Sequence, residues 1–123
     1  MQLAAQVAER SPLRDLQVWV ADHLTEDLSV PALAAQVAMS PRNFARVFQR
    51  EAGCTPAAFV ERARLEAARR LLESTTLGLE EVAAAVGFGG VPTMYRVFQR
   101  SLRVSPGAYR RHFLAPEPER DSA

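Results

Sequence analysis

The chain has 123 residues, of which 48% are hydrophobic, and its formal net charge is +1. This length corresponds to about one ordinary domain or two very small ones, and it excludes most multi-part enzyme folds. A near-zero net charge by itself indicates neither the presence nor the absence of a polyanionic partner. The single cysteine, Cys54, excludes an internal disulfide, and the sequence has no signal-peptide pattern and no apolar run near the roughly 18 residues of a membrane span. We therefore expect a cytoplasmic protein without a membrane partner.

Helix signals dominate the sequence, and the alternation typical of strands is absent. Pro follows a hydroxyl residue at Ser11, Ser40, Thr55 and Ser105. Each pair predicts a helix start, because the N-cap hydroxyl accepts a bond from a backbone N–H and Pro at the next position has none to satisfy. Ser29 predicts a further cap. Apolar spacing predicts an all-α fold whose seven helices span about 12–24, 30–37, 41–52, 56–74, 79–86, 91–101 and 106–113.

The apolar residues of these segments predict which helix faces are buried. The inward residues are expected to be Leu13, Leu16, Val20 and Leu24 with Trp19 in the first helix; Phe44, Val47 and Phe48 in the third; Phe59, Ala63, Ala67, Leu71 and Leu72 in the fourth; and Met94 and Phe98 in the sixth. Gly53 and Gly87 are placed to end helices, because glycine adopts left-handed backbone without a Cβ clash.

A repeat organises the chain. The pentapeptide Arg46-Val47-Phe48-Gln49-Arg50 returns unchanged at 96–100, fifty positions later. The segment 55–59 is similar to 105–109 at the same offset of fifty. The segment 33–39 is similar to 82–88 at an offset of forty-nine. Each copy is a short Ala-rich helix, a tight turn and an amphipathic helix, which is the helix-turn-helix plan. The predicted organisation is an extension at 1–11, helix-turn-helix subdomains at 12–54 and 76–113, a linker helix at 55–75, and a disordered tail at 114–123.

The charges are segregated along the sequence. Residues 41–50 carry three Arg and no acid, residues 91–112 carry five Arg and no acid, and residues 15–27 carry four acids and no Arg. In both repeated helices Arg and Gln lie opposite aromatic residues. Arg can bond guanine bidentately, and Gln or Asn can bond adenine in the same way. A solvated polar face is the alternative, but its occurrence twice at matched positions favours double-stranded DNA as the partner.

The predicted helices also suit the dimensions of DNA. A linker helix of about 19 residues is about 28 Å long, and we expect it to hold two reading helices about 34 Å apart, one turn of B-DNA. Phosphate contacts are expected from the helix N-termini at Ser29 and Ser40 and from Arg110 and Arg111.

The residues that carry this plan resemble the AraC/XylS family of transcriptional regulators. The resemblance covers about 12–113 and rests on the run from Ser40 to Phe48, on 83–88, and on 104–110. It implies seven helices in two helix-turn-helix units, with RNA polymerase as a further partner. The amino-acid sequence at 27–48 and 93–94 is most similar to that of regulators with an N-terminal class I glutamine-amidotransferase-like (PfpI-like) domain. This similarity implies that the chain is the C-terminal module of a longer regulator with a sensor domain ahead of it.

The resemblance also implies site residues by position. Base contacts are implied at Arg42, Ala45, Arg46, Pro92, Tyr95 and Arg96. Backbone or flanking contacts are implied at Asn43, Gln49, Arg50, Thr93, Gln99 and Arg100. The second unit departs from the family pattern: Gly90 replaces a capping Ser, Val91-Pro92 replaces polar residues, and Arg103 replaces Gly. Arg103 is therefore forced towards positive φ, or the turn is rebuilt. We expect the helix at 41–52 to supply most of the sequence discrimination.

Other functions have less support in the sequence. His23 and His112 stand in no metal-ligand spacing and beside no nucleophile, and no Gly-rich phosphate loop is present. We therefore predict no enzyme activity, no cofactor and no metal. The second hypothesis is a degenerate helix-turn-helix module that binds a protein and lacks specific DNA binding. Salt-sensitive binding to DNA distinguishes the two.

Overall fold

The structure is a computed structural model that describes residues 11–114. Within that range it contains seven α-helices and no strand, as predicted. The helices are α1 Pro12–Ala21, α2 Val30–Gln36, α3 Pro41–Ala52, α4 Pro56–Ser74, α5 Leu79–Ala85, α6 Val91–Leu102 and α7 Pro106–Leu114. The predicted extension at 1–11 and tail at 114–123 lie, apart from Ser11 and Leu114, outside the described residues.

The chain forms two compact units that divide between Ala63 and Arg64, inside α4. The N-terminal unit holds α1, α2, α3 and the first part of α4. The C-terminal unit holds the rest of α4 with α5, α6 and α7. The subdomain boundaries expected from the sequence stay a prediction.

The five hydroxyl caps that fix the helix starts are confirmed. Each side-chain oxygen accepts a hydrogen bond from the backbone N–H three residues later, which satisfies one of the orphan donors of the first turn. The distances from donor to acceptor are 3.1 Å at Ser11, 3.3 Å at Ser29, 3.2 Å at Ser40, 3.1 Å at Thr55 and 3.0 Å at Ser105.

The N-terminal unit has a core to which all its helices contribute. Its buried residues are Leu13, Leu16, Val20, Leu28, Leu33, Ala34, Phe44, Phe48 and Val60. The ring of Phe48 lies 5.5 Å from the rings of both Phe44 and Phe59, measured between centroids. The predicted inward faces of α1 and α3 are therefore confirmed, with Trp19 and Val47 packed against the core at its margin.

The C-terminal unit repeats the central aromatic contact. The rings of Phe98 and Tyr109 lie 5.7 Å apart at 72°, and Phe48 and Phe59 meet at 5.5 Å and 71°. The inward face of α4 needs a correction in this unit. Ala67 and Leu71 are only half-buried, and the buried positions are Leu65, Ala68 and Leu72. Apolar side chains cover much of this helix, so periodicity alone did not fix which of them faces the core.

The first helix is shorter than predicted and ends at Ala21, before Leu24. The His23 ring nitrogen Nδ1 lies 2.8 Å from the carbonyl oxygen of Trp19, and the two rings stack at 4.0 Å. The backbone N–H of His23 bonds Val20 at 3.0 Å in a tighter turn. This side chain occupies a carbonyl at the helix end, so the chain turns before Leu24, which still packs against the core.

Helices α3 and α6 both end in left-handed backbone. Gly53 closes α3 at φ 82°, and Arg103 closes α6 at φ 61°. Of the two conformations considered for Arg103, the structure adopts the one with positive φ. The turns ahead of the same helices are also left-handed, at Ala38 with φ 55° and at Gly87 with φ 91°. At these two matched positions one copy has the sterically suited Gly and the other does not. The second copy has a further left-handed residue, Gly89 at φ 86°, in its longer turn.

Candidate nucleic-acid interface

Helix α3 presents a basic face to solvent. Arg42, Arg46 and Arg50 are exposed together with Gln49. Phe44 and Phe48 on the opposite side are 0% and 2% exposed. Since residues three and four positions apart share one side of a helix, the burial of the aromatic face fixes the guanidinium groups outward. No acidic residue lies within this helix before Glu51.

Helix α6 repeats this arrangement in the C-terminal unit. Arg96 and Arg100 are exposed, Tyr95 is 47% exposed, and Met94 and Phe98 are fully buried on the other side. An open depression of about 610 Å³ lies along the exposed face and is lined by Tyr95, Arg96, Gln99, Arg100 and Arg103. Four of the predicted positions, Tyr95, Arg96, Gln99 and Arg100, therefore line one open basic surface, while Pro92 and Thr93 lie outside it.

The repeated arginine of each helix is braced by the residue one turn before it. Arg46 donates from Nη2 to Asn43 Oδ1 at 2.5 Å, and Arg96 donates from Nη2 to Thr93 Oγ1 at 3.4 Å. The pairs occupy equivalent positions of the repeat. A braced guanidinium has less rotamer entropy to lose when it binds an acceptor.

A second side-chain pair lies on α6. Gln99 donates from Nε2 to the hydroxyl of Tyr95 at 3.2 Å. The two residues were predicted separately, as a flanking contact and a base contact, and the structure joins them. Gln99 thereby holds the exposed tyrosine ring against the helix, where it offers an apolar edge with a polar tip.

The N-termini of the two helices differ in polarity. Ser40 caps α3 with its hydroxyl, whereas Gly90 at the start of α6 supplies no side-chain bond. Pro92 is exposed in the first turn of α6, where α3 carries the exposed Arg42. The first turn of α3 therefore offers a charged donor, and the first turn of α6 offers an apolar surface.

Arg110 has a different position from the one expected of a phosphate contact. Its guanidinium donates to three backbone carbonyls: from Nε to Leu72 at 3.3 Å, from Nη2 to Thr75 at 3.2 Å and from Nη1 to Leu77 at 2.5 Å. These carbonyls lie at the end of α4 and in the loop after it, where a helix leaves its acceptors unsatisfied. Three of the five guanidinium donors are thus used inside the C-terminal unit, which favours a structural role for Arg110 over the expected phosphate contact. Its neighbour Arg111 is exposed.

The remaining predicted positions are accessible to different degrees. Ser29 and Ser40 are exposed at the starts of α2 and α3, while Ala45, Asn43 and Thr93 are half-buried. Sequence reasoning missed Arg103 as a part of the α6 surface. The signal was the absence of acidic residues from 91 to 112, which leaves Arg103 in the same basic stretch as Arg96 and Arg100.

Two further features of residues 11–114 bear on function. No group of three or more potential metal ligands occurs among them. No helix in this range has the length and apolar character needed to cross a membrane.

The paired units, each with a short helix, a tight turn and an exposed basic helix, define a protein of the helix-turn-helix class. A family model described as a helix-turn-helix domain matches residues 33–112. The chain belongs to the AraC-type helix-turn-helix DNA-binding domain family.

Individual relatives agree with this assignment. An HTH-type transcriptional regulator of Mycobacterium tuberculosis is 51% identical over 81 residues, which are 66% of this chain and 31% of that protein. The HTH-type transcriptional activator RhaS of Salmonella arizonae is 33% identical over 94 residues, which are 76% of this chain and 34% of the activator. The chain spans about a third of the length of the curated relatives it matches.

Solved structures are similar over most of the chain. The crystal structure of the DNA-binding domain of AdpA, a global transcriptional factor in complex with a target DNA, matches with a TM-score of 0.82 and 36% identity, covering 89% of this chain and 98% of that one. The C-terminal domain of AraT, a response regulator from Geobacillus stearothermophilus, matches with a TM-score of 0.78 and 30% identity, covering 83% and 86%.

Proposed function

We propose that this chain is the module of a transcriptional regulator that binds double-stranded DNA at specific sequences. In this proposal α3 and α6 are the recognition helices and enter successive major grooves. The observation that carries it is the exposed arginine face that occurs twice, at positions fifty apart, each time opposite buried aromatic rings and with no acid among its residues. The similarity to the AdpA domain, which was solved with a target DNA, supports the same reading.

Helix α3 supplies the polar readout. Arg42 and Arg46 present guanidinium groups that can bond O6 and N7 of guanine, and the methyl of Ala45 can contact that of thymine. Asn43 holds Arg46 in place, while Gln49 and Arg50 extend the basic face towards the flanking backbone. The exposed starts of α2 and α3 at Ser29 and Ser40 lie at the positive ends of the helix dipoles, which suits phosphate oxygens.

Helix α6 reads DNA with fewer polar groups. Arg96 is the donor suited to guanine, and Pro92 and Tyr95 offer apolar contact to thymine methyls. Thr93, Gln99, Arg100 and the exposed Arg111 add flanking and phosphate contacts. Because Val91 and Pro92 at the start of α6 carry no side-chain donor, α3 carries the larger share of sequence discrimination.

The module functions within a longer cytoplasmic regulator in this proposal. An N-terminal domain of the class I glutamine-amidotransferase-like type senses the signal, and the DNA-bound protein acts on RNA polymerase. The support is the similarity of the segments at 27–48 and 93–94 to such regulators, together with the third of each curated relative's length that the chain spans. The chain itself has no catalytic role in the proposal.

Band-shift titration tests the DNA-binding proposal. Arg46→Ala is expected to cost about 1–3 kcal/mol on the preferred duplex and to relax the preference at one base pair. Arg14→Ala removes an exposed arginine of α1, outside the proposed contact set, and is expected to leave the preference unchanged. Equal losses on preferred and random duplexes would show that Arg46 meets only phosphate. Undetectable binding by the unaltered chain at low salt would reject DNA binding and favour the protein-interaction module.

A further inference from the structure

Arg103 ends α6 in a backbone conformation that an arginine adopts only at a cost. Its φ is 61° and its ψ is 24°, within the left-handed region. Side chains other than glycine are disfavoured there because Cβ approaches the following carbonyl. The equivalent turn in the N-terminal unit, fifty residues earlier, is made by Gly53 at φ 82°. The same chain thus makes this turn once with the sterically suited residue and once without it.

The side chain of Arg103 extends the basic face of α6. Arg96 and Arg100 lie one turn apart on the same side of α6, and Arg103 follows at its left-handed end. All three line the same open depression with Tyr95 and Gln99. Arg103 is exposed, and within residues 11–114 its guanidinium has no hydrogen-bond or ion-pair partner. The strained residue is therefore an outward cation at the C-terminal end of the proposed reading surface.

We propose that Arg103 is a phosphate contact of the second recognition helix and that the left-handed strain is retained for this contact. A helix of 12 residues is about 18 Å long, whereas the major groove is about 12 Å wide. When the first turns of α6 read base edges, its last turn reaches the phosphates that border the groove. Arginine suits them, since its planar fork pairs with phosphate oxygens bidentately. This inference rests on the proposed DNA binding.

A local role in stability is the competing explanation. A cation at the end of a helix interacts favourably with the helix dipole, and that interaction partly offsets the backbone strain. Replacement by glycine distinguishes the two roles. It relieves the backbone strain, which affects folding, and it removes the charge, which affects DNA binding only if Arg103 contacts phosphate. A phosphate contact predicts that Arg103→Gly folds at least as well as the unaltered chain and binds DNA less well.

The experiment measures thermal unfolding and DNA affinity of the full chain at several salt concentrations. For Arg103→Gly we expect Tm to rise by about 2–4 °C. The slope of log affinity against log salt should shrink by about 0.9, which corresponds to about 8-fold weaker binding at 0.1 M salt. The loss should be equal on preferred and random duplexes, since phosphates carry no sequence information. Arg103→Lys keeps the charge and should keep the salt slope, and Arg14→Gln is the control for a distant charge.

Each result has one interpretation. An unchanged salt slope in Arg103→Gly overturns the inference, with or without a change in Tm. A loss confined to the preferred duplex also overturns it, because Arg103 would then read a base. If the unaltered chain binds no duplex, the proposed function fails first. If it binds with a steep salt slope while Arg103→Gly matches it, only this inference fails.

Discussion

Replacing Arg110 tests whether this residue supports the fold or contacts DNA. Arg110→Ala removes three hydrogen bonds, at 3.3, 3.2 and 2.5 Å, that join α7 to the end of α4 and the following loop. At about 1 kcal/mol net for each bond, the C-terminal unit should lose about 3 kcal/mol of unfolding free energy. For a unit of this size, that loss lowers Tm by at least about 12 °C. Arg111→Ala, at the exposed neighbouring position, should change stability by less than about 0.5 kcal/mol.

The assay must distinguish the two units. Hydrogen exchange of the backbone amides of α5, α6 and α7 reports the C-terminal unit, and fluorescence of Trp19, the only tryptophan, reports the N-terminal unit. We expect Arg110→Ala to accelerate exchange throughout the C-terminal unit. Arg111→Ala should instead shrink the salt slope of DNA binding by about 0.9. If Arg110→Ala leaves exchange unchanged and shrinks the salt slope, Arg110 is a phosphate contact and this reasoning is wrong.

Three further predictions concern stability. Phe48→Ala should cost about 3–5 kcal/mol, measured by denaturant unfolding followed at Trp19, and an unchanged midpoint would contradict the inward assignment of Phe48. Ala38→Gly should raise the free energy of unfolding by about 1 kcal/mol, because Ala38 has φ 55°. Gly87→Ala at the matched turn should lower the free energy of unfolding. If both substitutions change it in the same direction, the strain argument is wrong. Burial raises the pKa of Tyr109, so the folded state favours the neutral phenol. The neutral phenol therefore contributes fully to the free energy of unfolding at neutral pH. The free energy of unfolding should therefore fall once pH rises above about 10, and Tyr109→Phe should remove that fall.

The helix plan was largely predictable from local sequence. Each Ser or Thr cap acts on an N–H only three residues away, so the starts of five helices were encoded in short motifs. The buried faces of α1 and α3 were also predicted, because a polar and an apolar side separate clearly there. The repeat also indicated which surface matters, because it places Arg46 and Arg96 at equivalent positions of two helices.

The parts that depend on distant contacts were not predictable. Arg110 looked like a free surface cation, but its carbonyl partners lie 33 to 38 residues earlier in the chain. The end of α1 depended on His23 reaching back to a carbonyl, which no helix-stop residue marks. The braces on Arg46 and Arg96 follow the three-residue spacing of a helix, yet spacing alone does not determine the rotamers of exposed side chains.

Selection of bound sequences from a random duplex library tests the central claim most directly. The account predicts enrichment of two half-sites whose centres lie about one helical turn, or 10–10.5 base pairs, apart. The half-site read by α3 should hold more conserved positions, with guanines opposite Arg42 and Arg46, and Arg46→Ala should erase preference at one of them. The account would be contradicted if the unaltered chain enriched no sequence. It would also be contradicted if a variant lacking both Arg46 and Arg96 still enriched one of the half-sites.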